Sequence, residues 1–379
     1  MDRIYADHAS TTKISEHALQ AMTECMRQFY GNPSSSHICG REAARALKEA
    51  REKIAVCIGA EPSEIYFTSG GTEADNQAIL TGAAFGKKAG KHHMVFSKAE
   101  HHAVLNCIPA LERDGFEVTL LSPDKSGLVS AKEIEQAIRE DTCMVAVMSV
   151  NNEVGTIAPL FEIGRICREK GVLFFSDAVA AAGHIEVNVK EQGISMLSIS
   201  GHKFGGPRGI GALYVNDNVP VANLMHGGSQ EKKKRPGTQN VPGIVAMAAA
   251  LSDSVAKLEE NTEKLEKLRE RLLQGLSDLD GMWVNGSETS RFPGIINLGF
   301  EDVSGEALML LLDLRGICVS TGAACNTESI EPSHVLLSMG LTPDEARSCI
   351  RISLSADNTE EEVDTIVDAV KTAVEKIRS

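Results

Sequence analysis

The stretch SISGHKFGGPRGIGALYV, residues 198–215, most constrains what this chain can fold into. A short apolar run, Met196 to Ile199, ends in small polar residues. His202 and Lys203 follow, then a glycine-rich turn through Gly205, Gly206 and Gly209, then a second apolar run from Ile210 to Val215. Two apolar runs flanking such a turn predict strand, exposed turn, strand. Lys203 then stands at a strand end, among small neighbours that let another molecule approach. An amine there can form a Schiff base with a carbonyl, and pyridoxal phosphate is the commonest such partner. The competing reading is a solvated lysine in a glycine turn.

The preceding residues alternate strand and helix. Strands are predicted at Ile65–Thr68, Met94–Ser97, Val118–Leu121, Cys143–Val150 and Val172–Ser176, with helices near 41–58, 131–140 and 160–170. That alternation predicts a doubly wound, mostly parallel α/β sheet. Cys143–Val150 is apolar throughout, as a central parallel strand should be. Ligands meet such sheets at the carboxyl ends of strands, and polar residues follow several of these strands. SGGTEADN follows the first; there Gly71 and Thr72 place free backbone N–H groups and a helix dipole at one point, a phosphate site. An ordinary capping box through Ser69 or Thr72 is the alternative. His101 and His102 follow the second strand, as a stacking or acid–base site or a plain helix start. Asn152 lies in NNEVGTI, after the strand predicted to be central. Asp177 ends the next strand, where a buried carboxylate is costly unless a cation such as a pyridinium nitrogen meets it; a helix N-cap is the alternative.

A chain of 379 residues exceeds one ordinary core. The expected division is a large cofactor-binding domain at 15–255 and a small α+β domain from 1–14 and 256–379. After the helix 241–256 the amphipathic run LEENTEKLEKLRERLLQGL joins the two, and strands at Trp283–Val284, Gly294–Phe300 and Ile350–Leu354 build the small one. The ASTT run, Ala9 to Thr12, is expected to cap a helix starting near Glu16. A net charge of −14 argues against a nucleic-acid partner. The basic run Lys232 to Arg235, in the polar loop 227–240, reads as a phosphate-facing or solvated stretch. No apolar run approaches the roughly 20 residues that span a bilayer, and the N-terminus lacks the apolar core of a signal peptide, so no membrane partner and a cytoplasmic location are expected. The nine cysteines are scattered without metal-ligand spacing, so no metal is expected and a reducing compartment fits.

Eight stretches in one order, SGGTEADN, EHHAVL, VNNEVGTI, SDAV, SISGHKFGGPRGIGALYV, RPGTQN, STGAAC and EPSHVL, resemble the cysteine desulfurases of the class V aminotransferase group. The resemblance covers essentially the full chain and is closest to the branch that feeds iron–sulfur assembly. It implies the pyridoxal-phosphate fold-type I: a large doubly wound α/β domain with a smaller α+β domain. It implies that Lys203 holds pyridoxal 5'-phosphate and later moves protons, that Asp177 pairs with the pyridinium nitrogen, and that His101 stacks on the ring. Gly71, Thr72, Ser200 and His202 would contact the phosphate. Thr238 would reach a phosphate in a partner subunit, which implies a homodimer. Asn152 and Arg351 would grip the substrate carboxylate, with Asn152 also beside the cofactor. Cys325 would take sulfur from L-cysteine as a persulfide, leaving L-alanine, and pass it to an acceptor protein, an iron–sulfur scaffold or another carrier. The sequence departs from the family at Ala180, usually Gln, at Pro236, usually Ser or Ala, and at Thr321 and Ala323, often Ser. Two other readings are a selenocysteine or cystine lyase on the same fold, and a low-turnover cofactor-holding scaffold.

Overall fold

The computed structural model describes residues 3–321 and 331–379. Its strands in chain order are β1 (Ile4–Tyr5), β2 (Ile65–Thr68), β3 (His93–Ser97), β4 (Glu117–Leu121), β5 (Thr142–Ala146), β6 (Leu173–Asp177), β7 (Met196–Ser200), β8 (Gly211–Val215), β9 (Met282–Asn285), β10 (Ile295–Phe300), β11 (Ile317–Cys318) and β12 (Cys349–Ser353). Seven of them form one sheet in the order β2-β8-β7-β6-β5-β3-β4. The neighbours are parallel except around β8, which runs antiparallel to both β2 and β7.

Strand alternation sorts the apolar side chains onto two faces, because successive residues point to opposite sides. Met94, Phe96, Met144, Ala146, Phe175, Met196 and Leu213 pack on one face with Ala74, Ala78 and Ile79 of the helix Gly71–Ala89. Val95, Val145, Phe174, Leu197, Ile199 and Tyr214 pack on the other with Leu160 and Ile163 of the helix Leu160–Lys170 and with Ile244 and Met247 of the helix Val241–Ala256. Both faces are covered, as a doubly wound sheet requires. The fold class is therefore the expected mixed α/β one with a large, mostly parallel sheet.

The strand expected at Cys143–Val150 is regular only over Thr142–Ala146. Beyond it, the amides of Val147 and Ser149 still bond to the carbonyls of Phe175 and Asp177, and the chain then turns at Asn151, whose Oδ1 accepts from the amides of Glu153 and Val154. The β7–β8 hairpin closes through a short 3-10 turn at Gly201–Lys203. A side chain at Gly211 would put its Cβ 2.6 Å from the Ile199 carbonyl and 2.8 Å from Gly70 Cα, so this hairpin and the Gly70 turn need glycine there to approach.

A second sheet, β12-β10-β9, is antiparallel and packs beside the helices Leu258–Leu276 and Glu360–Arg378. The latter starts in a capping box at Thr359 and Glu362 and buries Val363, Ile366, Val370 and Val374. Burial of each such side chain contributes about 1.5–3 kcal/mol. The N-terminal strand β1 pairs in parallel with β11, and Asp7 bridges to Ser353 at the end of β12. From there the chain runs to the β7–β8 hairpin, where the Thr12 amide bonds to the His202 carbonyl. The helix Glu16–Gln28 is capped by Ser15, whose Oγ accepts from the Ala18 amide, and not by Ala9–Thr12. The latter segment cannot cap because its polar groups are engaged with Lys203, His202 and Asp7. Among the described residues no single helix is long and apolar enough to cross a membrane.

Candidate active site

A cavity of about 400 Å³ opens at the carboxyl ends of β5, β6 and β7. Its lining includes Gly71, Thr72, His101, Asn152, Asp177, Ser200, His202, Lys203 and Arg351. These are the expected site residues except Thr238 and Cys325. Cys325 lies outside the described residues, but on either side of that stretch Ser320 pairs with the Arg351 main chain and Glu331 to His334 line the cavity. Thr238 is exposed and does not line it.

Lys203 sits just after β7 on the 3-10 turn. Its Nζ donates to the carbonyls of Ala9 at 2.6 Å and Ser10 at 3.0 Å. Its own carbonyl accepts from His184 Nε2 at 2.8 Å. Asp177 ends β6, with Oδ1 accepting from the Val179 amide at 2.8 Å and facing Ser198 Oγ at 3.5 Å. Burial pushes its carboxyl upward, while His101, the Val179 amide and the Lys203 charge oppose that. His101 accepts from the Ala103 amide through Nδ1 at 3.1 Å, which caps the short helix His102–Leu105. Burial lowers its pKa, and a neutral ring suits stacking on another ring.

The 19-residue helix Gly71–Ala89 aims its first turn at the cavity. Neither Ser69 nor Thr72 caps it. Glu73 instead folds back, accepting the Ser69 amide at 2.8 Å and a bidentate pair from Arg235 at 2.8 and 3.2 Å. The first-turn amides therefore keep no intrahelical acceptor, which makes an anion site. A Cβ on Gly71 would meet Val179 Cγ2 at 2.6 Å. An adjoining open cavity, lined by Gly71, Thr72, Ser200, His202 and Arg208, extends from this end. Burial, Lys203 and Arg208 together push His202 down to about 4.

Arg351 on β12 is 2 % exposed. Nη1 donates to the Asn152 carbonyl at 2.8 Å; Nη2 donates to Asp7 Oδ1 at 2.9 Å and Ser10 Oγ at 2.6 Å. Its Nε has no hydrogen-bond partner among the described residues. A buried guanidinium N–H without an acceptor fits an incoming carboxylate. Ala180, the departure from the family pattern, lines this cavity and, with Ala9 and Lys203, also a second one of about 410 Å³.

The sequence reading missed several groups. Asp7, Ala9 and Ser10 brace Arg351 and Lys203; Ala9 and Ser10 belong to the run expected to cap a helix, and Asp7 carried no expectation. His334 packs against His102 with ring centroids 4.4 Å apart and planes tilted by 45°. Glu153, pushed up to about 7 by burial, accepts from Ser333 Oγ. Asp75 and Glu100 lie buried near Asp177. The loop 227–240 contains a short helix, Gln230–Lys233, with Glu231, Lys232 and Lys233 at positive φ. Glu231 is held by Arg51 at 2.8 and 2.9 Å. Of the basic run, Arg235 is bonded to Glu73, and Lys232 lies over the Tyr66 ring and bonds to the Ser63 carbonyl.

The sequence model of the aminotransferase class-V family matches residues 4–366. The cysteine desulfurase IscS of Methanosarcina thermophila is 46% identical over 376 residues, 99% of this chain and 93% of its own. A putative cysteine desulfurase, IscS 1 of Bacillus subtilis, is 45% identical over 379 residues, all of both chains. Among solved structures, a NifS-like protein superposes with a TM-score of 0.91 at 39% identity, covering 99% of each chain. SspA in complex with cysteine gives 0.83 at 37% identity, over 94% of this chain and all of that one. With its lysine, carboxylate, glycine turn and buried arginine around one cavity, the chain belongs to the class V aminotransferases, in their cysteine desulfurase branch.

Proposed function

We propose that this enzyme takes sulfur from L-cysteine, with pyridoxal 5'-phosphate on Lys203, and leaves L-alanine while Cys325 carries the sulfur as a persulfide. The observation that carries the reading is the gathering of Lys203, Asp177, the Gly71–Thr72 helix start and Arg351 around one cavity. The residues fit the cofactor. Gly71 packs so close to Val179 that a Cβ would clash, the uncapped helix start beside the cavity suits a phosphate, and the buried Asp177 calls for a cation. When bound, pyridoxal phosphate supplies the electron sink that stabilises negative charge at the substrate Cα.

The chain's own groups do the rest. Arg351 holds the substrate carboxylate through its spare Nε, with Asn152 beside it. Asp7 and Ser10 fix the guanidinium plane. Lys203 would hold the cofactor through Nζ and, with that amine free, would move the substrate Cα proton. His101 would pack on the ring, and Ser200, His202, Gly71 and Thr72 would hold the phosphate. The Cys325 thiolate attacks the substrate sulfur; an S–S bond forms, the C–S bond breaks, and the carbon residue is protonated to alanine. L-cysteine and one thiol thus give alanine and one persulfide.

The wider reading is a cytoplasmic homodimer in which Thr238 reaches the partner's phosphate, handing sulfur to an iron–sulfur scaffold or another carrier protein. Exposure of Thr238 on a loop tied by Arg51 and Arg235 supports the first part; the eight described cysteines, all free thiols, support a reducing compartment. The separate sheets support a division into 15–255 and 1–14 with 256–379.

The test is sulfide and alanine release from cysteine with a reductant. The unaltered protein should release both in equal amounts. Cys325→Ala should keep the cofactor absorbance and lose that turnover. Undiminished release by that variant would overturn the persulfide role and favour a lyase.

A further inference from the structure

Asp75 and Asp177 line the active-site cavity, and Glu100 is buried close enough to feel the charge of Asp177, which is more acid than the proposed reaction uses. Asp75, on the helix Gly71–Ala89, is 1 % exposed; Glu100, after β3, is fully buried; Asp177 is 3 % exposed. Asp75 Oδ1 and Glu100 Oε2 have no hydrogen-bond partner among the described residues. Glu100 Oε1 accepts from the Met148 amide at 2.6 Å. The Ser198 hydroxyl, on β7, stands against both Asp75 and Asp177. Both extra acids feel the charge of Asp177.

The groups that face this cluster come from every element around it. From the segment after β3 come His101, a ring that burial keeps neutral, and the Cys107 thiol, pushed up to about 11 by burial and by Asp75. From the β7–β8 hairpin comes Lys203, whose charge favours the ionised form of Asp177. From beyond Ser333 comes His334, which bonds to the Glu100 carbonyl and not to its carboxyl. Of these groups His101 and Lys203 favour the ionised form of Asp177, and among the described residues no cation acts on Asp75 or Glu100. A buried carboxylate oxygen with no donor is strongly disfavoured, and like charges close together disfavour each other further. Burial and Asp177 hold Glu100 up to about 8 and Asp75 well above the usual carboxylate range. Glu100 has the Met148 amide but no cation beside it, whereas Asp177 combines the Val179 amide with the Lys203 charge, so Asp177 is the one equipped to keep a charge.

We propose that Asp75 and Glu100 are positioning residues that stay protonated at neutral pH, so that Asp177 is the lone carboxylate of this cluster and presents a single negative charge to the ring nitrogen of the bound cofactor. This rests on the assignment of Asp177 to that nitrogen. An ionised Asp75 would place a second negative charge behind Asp177. The ring would then hold its proton more tightly than one carboxylate requires.

Infrared spectra of the cofactor-loaded protein at neutral pH test this, with aspartate and glutamate carboxyls ¹³C-labelled in separate samples. Each label should shift a carbonyl band of a protonated carboxylic acid. Asp75→Asn should remove the aspartate band, and Glu100→Gln should weaken the glutamate band, leaving the share of Glu153. Asp75→Asn replaces a neutral acid by a neutral amide and should leave the cofactor dissociation constant within about threefold. Asp177→Asn removes the charge and should weaken it by about tenfold or more. Absence of a labelled aspartate band, which the unaltered protein reports even if Asp75→Asn does not fold, overturns the proposal. So does Asp75→Asn weakening the cofactor as much as Asp177→Asn. An unchanged affinity in Asp177→Asn refutes the pairing with the ring nitrogen and the role built on it, while the bands still report the protonation.

Discussion

Arg351 shows how one side chain can be both structural and receptive. Among the described residues two of its nitrogens are engaged by Asn152, Asp7 and Ser10, and Nε has no partner. Arg351→Lys keeps the charge and loses the planar fork. The loss of a charge-assisted pair is worth about 1.5–3 kcal/mol, so the Michaelis constant for cysteine should rise by about tenfold or more with the cofactor absorbance unchanged. Steady-state kinetics over a cysteine series check it. Glu100 gives a pH signature. Its pKa is raised in the folded protein to about 8, so the folded state holds this proton where the unfolded chain has released it. Its stabilising proton is fully present below the ordinary glutamate range and is lost as pH rises toward about 8, with a slope of at most about 1.4 kcal/mol per pH unit. Glu100→Gln should flatten that part of the profile, so melting curves of the two proteins should diverge between about pH 5 and 8, the variant being relatively more stable at the alkaline end.

At the scale of elements, the helix Gly71–Ala89 and the β7–β8 hairpin were legible because their signals are local. Glycines at a strand end followed by helix-forming residues have few alternatives, and a strand pair split by glycines is equally constrained. The groups that escaped notice were placed by distant contacts. Ser10 looks like cap chemistry, and Asp7 carries no local signal, until β1 pairs with β11 and carries them to Arg351, 341 and 344 residues away. Glu100 looks like a surface acid before a histidine pair, and no local pattern says that its carboxyl will be fully buried. The over-extension of β5 has the same origin: residues 147–150 are buried and keep two bonds to β6, so their composition does not reveal that the regular strand stops at Ala146. The helix start yields its own prediction. Gly71→Ala would drive a methyl into Val179, so the protein should fold and bind pyridoxal phosphate at least about tenfold more weakly, a loss on the order of 1.4 kcal/mol. Titration of the apoprotein with cofactor measures it.

At the scale of the whole molecule, the site is a meeting of parts far apart in the chain. The large sheet supplies the lysine and the aspartate, the small sheet supplies the arginine, and the first residues run between them. Lys203 Nζ is tethered to the carbonyls of Ala9 and Ser10, and that tether has a kinetic meaning. An amine donating to two carbonyls must leave them before it can attack an aldehyde. Uptake of cofactor by the apoprotein should therefore proceed in two steps, a rapid encounter and a slower release of the lysine from the opening segment. In stopped-flow mixing, the observed rate should reach a plateau as cofactor concentration rises, and the plateau should climb when Thr12→Val loosens that segment from His202. A rate that stays linear in cofactor would mean the lysine is already waiting.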